Sequence, residues 1–406
     1  MRIAFLILCC VPAQLTAQTT RWTITTADFQ SRQVDLETID DAGVRVRDKE
    51  SDPPRVVPWG DLLALDRQTE SRTPFFAKLT VLLTTGDQIR GEPVKIEGET
   101  LTWNAASLGQ LQFPLQQIKA ITRGPQQSPS RDGERITEDV VTLANGDTVR
   151  GIISGLADKQ LTVQAGGNAT PVPLDSINSV QFASTALPSP AASGRAVRVK
   201  LSDDSLITAQ SVKTTADELT VTLAGVSRRI PLSNLAALEQ INGPVSFLSS
   251  RPPTENLHTP LLETSRPARM DKTVSGQPIR YGDRTYARGI GVAPQSRITF
   301  PLPGVTGKEG YQTFRTRYAI DGNAPYADVT IRILLDKTVV HEKKNFTAGH
   351  LSPVVLVPLG NAKSLTLEVD FGGNYNVQDR LNWIEPALVK GSAMAPAPGA
   401  STRSAQ

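Results

Sequence analysis

The sequence predicts an all-β protein. Apolar and polar residues alternate along much of the chain, as in residues 329–333 and 365–369, and this period of two is typical of strands with one buried face. Glycine-containing turn sequences such as Asn145-Gly146 separate the alternating segments. No long stretch has the helical spacing of apolar residues. We therefore expect several small β-domains in this chain of 406 residues.

The first residues have the pattern of an export signal. Arg2 supplies a positive end, residues 3–11 are apolar, and residues 15–17 end in small side chains like a cleavage site. Residues 1–17 are therefore predicted to be a signal peptide, whose apolar run is too short to span a bilayer. We expect a secreted or periplasmic protein with no membrane span.

Both cysteines, Cys9 and Cys10, lie inside this predicted signal. A lipoprotein anchor on one of them is the alternative, but residues 6–8 lack the small side chains that such processing requires. Without cysteines the mature chain forms neither a disulfide nor a thiolate metal site, which suits a bacterial envelope.

The charges nearly balance. The chain has 43 Lys and Arg against 40 Asp and Glu, a formal net charge of +3. Such a balance gives no general attraction to nucleic acid or to an anionic membrane. Neither partner is expected.

Residues 20 to about 245 repeat themselves. Each repeat contains a proline-led segment, and the step between successive prolines is 56, 59 and 58 residues. The four prolines are Pro58, Pro114, Pro173 and Pro231. The preceding halves also agree, since residues 81–91 match residues 141–151 closely around a Gly-Asp pair. We interpret that pair as turn chemistry and not as a ligand motif.

Each repeat is long enough for four or five short strands. A flat sheet of this size would leave its edges and one face bare, so we expect each repeat to curl into a small SH3-like or Sm-like barrel. This likeness is topological and carries no function. The predicted bounds are 20–70, 75–124, 136–184 and 195–243.

Segments rich in Pro, Ser and Gly separate the repeats. Residues 124–130 and 186–194 have the composition of extended linkers, so we expect the repeats to be arranged as beads on a string. Residues 249–254 form a further connector that leads into a C-terminal module, predicted over 255–390. Residues 391–406 are a low-complexity tail that we expect to be disordered. Within the module, residues 353–359 predict a buried strand.

Residues 372–383 concentrate groups that recognise sugars. A Gly-Gly pair permits unusual backbone angles, and the loop ends on Trp383 beside an acid, a guanidinium and amides. A sugar presents one apolar face to an aromatic ring and its hydroxyls to polar side chains. The alternative is structural: Trp383 precedes an apolar final strand and fits a core, and Asp379, Arg380 and Asn382 fit a polar turn.

The C-terminal module resembles the NPCBM (novel putative carbohydrate-binding module) family over about residues 262–390. The landmarks in order are residues 281–292, 296–302, 314–321, 364–369 and 379–383. The resemblance implies a galactose-binding-like β-sandwich of jelly-roll type that binds a glycan or polysaccharide, typically one containing galactose. Where the family usually has a His after its Gly-Ile-Gly-Val element, this chain has Ala293-Pro294.

The resemblance and the residue types together give the candidate site. A stacking face is assigned to an aromatic ring and hydrogen bonds to polar side chains. The assigned residues are Trp383, Tyr375, Asp379, Asn382 and Arg288. No cofactor is expected, and a structural calcium, as in related jelly-roll modules, is left open.

Catalytic signals are missing from the sequence. The three His residues, His258, His341 and His350, lie near no nucleophile signature, and no Gly-x-Ser-x-Gly, His-Glu-x-x-His or phosphate-binding glycine loop is present. Little chain remains for a catalytic domain once repeats and sandwich are assigned. We therefore expect a non-enzymatic protein. The alternatives are a structural or protein-interaction protein, with partners bound through the repeats, and, less favoured, a glycoside hydrolase.

Overall fold

The computed structural model describes most of the chain. The described residues are 21–49, 51–68, 79–123, 137–183, 195–215, 217–223, 226–260, 265–302, 310–322, 324–373 and 377–390. Strands and short 3-10 turns are the only regular elements in these ranges, which confirms the predicted all-β class. The predicted signal peptide and tail lie outside them. In the described part of the chain, no helix has the length and apolar character needed to cross a bilayer.

A five-strand unit recurs four times along residues 21–241. The first unit contains β1 (Arg21–Thr26), β2 (Ser31–Ile39), β3 (Gly43–Arg47), β4 (Arg55–Pro58) and β5 (Leu62–Arg67). The second contains β6 (Leu79–Leu83), β7 (Gln88–Glu97), β8 (Thr100–Ala105), β9 (Gly109–Pro114) and β10 (Ile118–Thr122). The third contains β11 (Asp139–Leu143), β12 (Thr148–Ala157), β13 (Gln160–Ala165), β14 (Asn168–Pro173) and β15 (Ile177–Gln181).

The fourth unit differs only in that its second strand is split. It contains β16 (Ala196–Leu201), β17 (Leu206–Ala209), β18 (Ser211–Thr215), β19 (Glu218–Leu223), β20 (Val226–Pro231) and β21 (Leu235–Ile241). We call these units repeats 1 to 4. In repeats 2, 3 and 4 a 3-10 turn follows the proline that ends the fourth strand: Leu115–Gln117, Leu174–Ser176 and Leu232–Asn234.

The strands pair in the same way in every repeat. The first strand is antiparallel to both the second and the fifth, the second pairs with the third, and the third pairs with the fourth. Each sheet therefore curls until its last strand meets its first.

The turn between the first two strands is also the same in every repeat. Its closing hydrogen bond runs from a backbone N–H to a carbonyl four residues on: Thr26 to Gln30, Leu83 to Asp87, Leu143 to Asp147 and Leu201 to Ser205, at 2.8 to 3.0 Å. The fourth residue of the turn has a left-handed φ: Phe29 (65°), Gly86 (86°), Gly146 (93°) and Asp204 (66°). Glycine adopts this conformation without strain, which explains the Gly-Asp pair in repeats 2 and 3.

The repeats are not beads on a string; that prediction is wrong. β10 of repeat 2 pairs with β15 of repeat 3, and β5 of repeat 1 pairs with β21 of repeat 4. A further contact joins repeats 2 and 4, where β7 meets β17. One apolar core extends through all four repeats. The repeats therefore follow the spatial order 3, 2, 4, 1.

The two repeat pairs use one symmetric register. Ile121 lies opposite Val180 in the first pair, and Leu65 lies opposite Leu238 in the second. Each of the four residues is the seventh after the proline that ends the fourth strand of its own repeat. In both pairs the sixth residue of one repeat lies opposite the eighth of the other, so each pair has a local two-fold axis at its centre.

The C-terminal module is a sandwich of two sheets. Its strands are β22 (Val245–Phe247), β23 (Glu255–His258), β24 (Arg269–Met270), β25 (Ile279–Tyr281), β26 (Arg284–Tyr286), β27 (Gly289–Val292), β28 (Ser296–Pro301), β29 (Tyr311–Ile320), β30 (Asp328–Leu335), β31 (Thr338–Thr347), β32 (Val355–Pro358), β33 (Ser364–Phe371) and β34 (Leu381–Lys390). One sheet has the order β24-β27-β34-β29-β32, with β22 also beside β34, and the other has the order β23-β28-β33-β30-β31. Phe300, Phe314 and Trp383 fill the core between them.

The sandwich begins earlier than predicted and packs on repeats 1 and 4. The supposed connector at 249–254 is part of the module, because β22 precedes it and Leu248 is fully buried in the core. Phe29 of repeat 1 packs edge-on against Phe247 at 6.2 Å, and the guanidinium of Arg315 lies 3.7 Å from the centre of the Phe29 ring. Repeat 1 therefore contacts the sandwich through the turn that follows its first strand.

The segment 353–359 is not a buried strand, contrary to the prediction. β32 is the edge strand of its sheet, and Val354 and Leu356 are exposed while Val357 is buried. Its apolar residues thus cover only one face.

Candidate functional site

Trp383 belongs to the core of the sandwich. Its side chain is 0% exposed near the start of β34, and its ring meets Tyr318 edge-on with 5.8 Å between ring centres. A sugar cannot stack on a ring that solvent does not reach. The stacking role expected for Trp383 is therefore wrong, and the structural alternative holds.

Asn382 and Asp379 are also buried and make internal hydrogen bonds. The Asn382 amide nitrogen donates to an Asp321 carboxylate oxygen at 3.2 Å, and the backbone N–H of Asp328 donates to Asp379 Oδ1 at 2.9 Å. Burial raises the pKa of Asp379 to about 6; the hydrogen bond from Asp328 opposes this shift, and the Asp328 charge adds to it. Both side chains hold loops together and present no open contact surface.

Arg288 connects the sandwich to the repeats. Its guanidinium forms two hydrogen bonds with the carboxylate of Glu239 on β21 of repeat 4, and a 2.8 Å ion pair with Asp271. Burial alone lowers the pKa of Arg288, but the charges of Glu239 and Asp271 outweigh it and raise the pKa above its ordinary value. These ion pairs occupy the guanidinium, so a direct sugar contact by Arg288 is a misassignment.

The five predicted residues do not form one site. Trp383, Asn382 and Asp379 lie close together on β34 and the loop before it, whereas Arg288 lies at the junction with repeat 4. Tyr375 lies outside the described residues. The loop around Asp379 forms part of a surface at one end of the sandwich, which we call the rim.

This rim is formed by two loops held side by side. The loop from β29 to β30 contributes Tyr326, the first residue of β30 is Asp328, and the loop from β33 to β34 contributes Gln378 and Arg380. The backbone N–H of Gly373 donates to Asp328 Oδ2 at 2.9 Å, and that of Asp321 donates to the Arg380 carbonyl at 2.8 Å. Together with the Asp328 to Asp379 bond, these contacts fix one loop against the other.

The Gly-Gly pair serves close packing more than unusual angles. A Cβ on Gly372 would collide with the backbone and side chain of Asp328, so only glycine fits there. The unusual backbone angle lies instead at Gln378, whose φ is 64°. Strained backbone of this kind is often found at ligand-binding loops.

The rim exposes both an aromatic ring and polar groups. Tyr326 is 67% exposed and Val377 is 47% exposed. Beside them stand the exposed side chains of Gln378 and Arg380; Gln378 accepts a 3.4 Å hydrogen bond from the Tyr326 N–H. An exposed ring next to amide and guanidinium donors is the combination that a sugar requires.

Sequence reasoning missed Tyr326. Its segment, Ala324-Pro325-Tyr326-Ala327, lies far from the 372–383 stretch in the chain and has no polar cluster of its own. The exposed Pro-Tyr in a loop between two alternating strands was the available signal. Only the pairing of β29 with β34 brings it to the rim.

No metal site is evident in the part of the chain described. No group of three or more His, Cys, Asp or Glu there is arranged to hold an ion. His341 lies 3.2 Å from the Tyr318 hydroxyl, and burial lowers its pKa.

The Gly-Ile-Gly-Val element shows why its two glycines are required. A Cβ on Gly289 would press on the Trp383 carbonyl at 2.7 Å, and a Cβ on Gly291 would collide with the backbone at Thr273. The model of one protein family, the NPCBM/NEW2 domain, matches residues 246–389. This segment is an NPCBM/NEW2 domain. NPCBM domains are carbohydrate-binding modules. The four repeats lie outside the matched residues.

The chain also has similarity to solved structures. A CBM51 module from Clostridium perfringens GH95, in complex with methyl-galactose, is 22% identical with a TM-score of 0.32, over 36% of this chain and 99% of that one. The CBM51-2 and INT domains of Clostridium perfringens ZmpB, in complex with GlcNAc, are 20% identical with a TM-score of 0.32, over 47% of this chain and 42% of that one. Tandem CBM51 modules of Streptococcus pneumoniae Sp3GH98 are 11% identical with a TM-score of 0.31, over 91% and 88%. A search of curated protein sequences found no match.

Proposed function

We propose that this protein is an exported, non-catalytic carbohydrate-binding protein whose NPCBM domain binds a glycan at the rim. The match of residues 246–389 to the NPCBM/NEW2 family is the observation that carries this proposal. The pattern of residues 1–17 supports export to the periplasm or the exterior.

The rim residues supply the chemistry of recognition. The exposed face of Tyr326 would stack on the apolar face of a sugar ring. The exposed Gln378 amide and Arg380 guanidinium would donate to sugar hydroxyls. In this role Asp379 is a positioning residue, because it fixes the backbone of Asp328 and makes no contact with the ligand.

Galactose-containing glycans are the first substrate class to test, because the resemblance of the module to its family implies them. The finer fold assignment belongs to the same proposal: a galactose-binding-like jelly roll for the module, and SH3-like or Sm-like barrels for the four repeats. The identical strand pairing of the repeats supports the barrel assignment.

The test is glycan binding by the full chain, first on an array and then by calorimetry with the best galactose-containing oligosaccharide. Tyr326→Ala should weaken binding about fivefold to tenfold, since a stacked ring contributes about 1 to 1.5 kcal/mol. Tyr326→Phe keeps the ring and should bind nearly as well as the natural protein. Val339→Ala is the matched control, because Val339 is 47% exposed on β31 at the opposite end of the sandwich.

Equal binding by Tyr326→Ala and the natural protein would rule out the rim as the site. Failure to bind any glycan would favour the second candidate, a structural or protein-interaction role. One observation favours that role: the repeats pair through their strand edges, so they already act as association modules within the chain.

A further inference from the structure

The contact between repeats 2 and 4 is self-complementary. Gln88 lies directly opposite Leu206, and these residues occupy the same position in their two repeats, five after the first residue of the equivalent turns at Leu83 and Leu201. The centre of this contact is therefore a residue facing its own counterpart. Such a contact is isologous, the type that forms closed two-fold pairs.

The hydrogen bonds around this centre obey the same symmetry. The backbone N–H of Arg90 donates to the Ser205 hydroxyl at 3.0 Å, and the Thr208 hydroxyl donates to the Asp87 carboxylate at 2.7 Å. Arg90 and Thr208 are equivalent positions, and so are Asp87 and Ser205. The same donor position thus contacts the same acceptor position in both directions.

Repeat 3 carries the same face without a neighbour among the described residues. Asp147, Thr148 and Arg150 occupy the positions of Asp87, Gln88 and Arg90, and all three are exposed, whereas the three in repeat 2 are partly buried. In repeat 1 the turn itself packs on the sandwich, where Phe29 meets Phe247. Repeat 3 therefore ends the row of repeats with an associating face open.

We propose that this face binds the same face of a second copy of the chain, giving a two-fold symmetric dimer through repeat 3. Thr148 would face Thr148 on the axis. Asp147 of each copy would face Arg150 of the other, and Thr208 shows that a side chain at the Arg150 position reaches the facing acid. Opposite charges at the two positions make repeat 3 complementary to itself.

Such a dimer would place an NPCBM domain at each end. The sandwich packs on repeats 1 and 4, and repeats 2 and 3 lie on the far side of repeat 4, so joining two copies at repeat 3 places repeats 2, 3 and 4 of both copies between the two sandwiches. Two sugar sites on one particle raise the apparent affinity for a polymer that carries many ligands. This consequence depends on the proposed function, but the dimer itself does not.

Charge reversal tests the dimer by sedimentation of the full chain at concentrations up to on the order of 100 μM. The natural chain should be a dimer, and Asp147→Arg and Arg150→Asp should each be monomers, because like charges then face one another. A mixture of these two variants restores opposite charges at both positions and should sediment as a dimer. Asp158→Arg, an exposed change in the β12–β13 turn of the same repeat, should leave the dimer intact.

A disulfide tests the position of the axis. Residues opposite one another in antiparallel strands have Cα atoms about 4.5 to 5.5 Å apart, within disulfide range. With Cys9 and Cys10 replaced by Ser, Thr148→Cys should form a covalent dimer under mild oxidation, and the exposed Asn168→Cys should not. A monomeric natural chain, or a mixture of the two charge variants that stays monomeric, would overturn the proposal.

Discussion

The indole of Trp383 closes the core of the sandwich between Tyr318 and the strand that carries Gly289. Its nitrogen has no hydrogen-bond partner among the described residues, so its contribution there comes from packing. A ring in this place stabilises the NPCBM domain and makes no contact with a ligand.

Trp383→Ala is therefore expected to destabilise the NPCBM domain by about 3 to 5 kcal/mol, since removal of a buried aromatic leaves a cavity. Denaturant unfolding followed by circular dichroism measures the loss. Tyr326→Ala, the exposed counterpart, should change stability by about 0.5 kcal/mol or less. A stable Trp383→Ala variant that lost only sugar binding would contradict this assignment.

Asp379 makes the stability of the domain depend on pH. Its pKa of about 6 in the folded chain lies above the ordinary 3.8, so the folded state binds a proton more tightly than the unfolded state. The stability that Asp379 contributes is fully present below pH 3.8 and is lost as the pH rises through about 6.

Asp379→Asn keeps an acceptor for the Asp328 N–H and removes the buried charge. We expect this variant to be more stable than the natural chain at pH 7 by on the order of 2 kcal/mol, with little difference at pH 4. Unfolding free energies between pH 4 and pH 7 test this. Asp283→Asn, at an exposed turn, should show no such trend.

At the scale of elements, ion pairs attach the sandwich to repeat 4. Arg288 precedes β27, Glu239 lies on β21, and Asp271 follows β24. Removal of one partner leaves the other charges partly buried and unpaired, and this is costly.

Arg288→Ala should lower the free energy of unfolding of the sandwich by about 1 to 3 kcal/mol and weaken its attachment to repeat 4. A double-mutant cycle with Glu239→Gln should show clear coupling between the two positions. Arg284→Ala is the control: its side chain is 59% exposed and lies 3.6 Å from Glu385, so its loss should cost at most about 1 kcal/mol. Additive effects of Arg288 and Glu239 would show that the pair carries no such attachment.

Strands were readable from the sequence, but their neighbours were not. The alternation of apolar and polar residues predicted β30 and β33, and the glycines predicted tight turns at Gly86 and Gly146. The structure confirms both predictions, because each depends only on residues close together in the chain. The segment of β32 was taken for a buried strand because an edge strand and a central strand share the same apolar composition. Alternation also does not reveal that Tyr326 comes to lie beside the 377–380 loop, since the intervening pairing joins distant segments.

At the scale of the molecule, the repeats and the NPCBM domain form one continuous body. Repeat 1 pairs with repeat 4. Repeats 2 and 3, which lie between them in the sequence, pair with each other. Arg67 and Arg123, both ninth after their prolines, each donate to a turn carbonyl of the partner repeat, Ser233 and Leu174, at 2.6 and 3.0 Å. The composition of the linkers gave no sign of this, because it reports on the connecting chain and not on the strand edges.

Small-angle X-ray scattering from the full chain should therefore fit a rigid elongated particle plus terminal segments. A string of independent domains would instead give a high-angle plateau in the Kratky plot of the scattering, as flexible linkers do. That result would contradict the paired arrangement of the repeats. The monomeric Asp147→Arg variant is the sample to use, since it removes the proposed association of copies.

The nested pairing also has a consequence for synthesis. As the chain leaves the ribosome, repeats 2 and 3 can pair as soon as repeat 3 has been translated. The edge of β5, in contrast, stays unpaired until β21 has been translated. During that interval the nascent polypeptide exposes the unpaired backbone groups of a strand edge, with which other strands are able to pair.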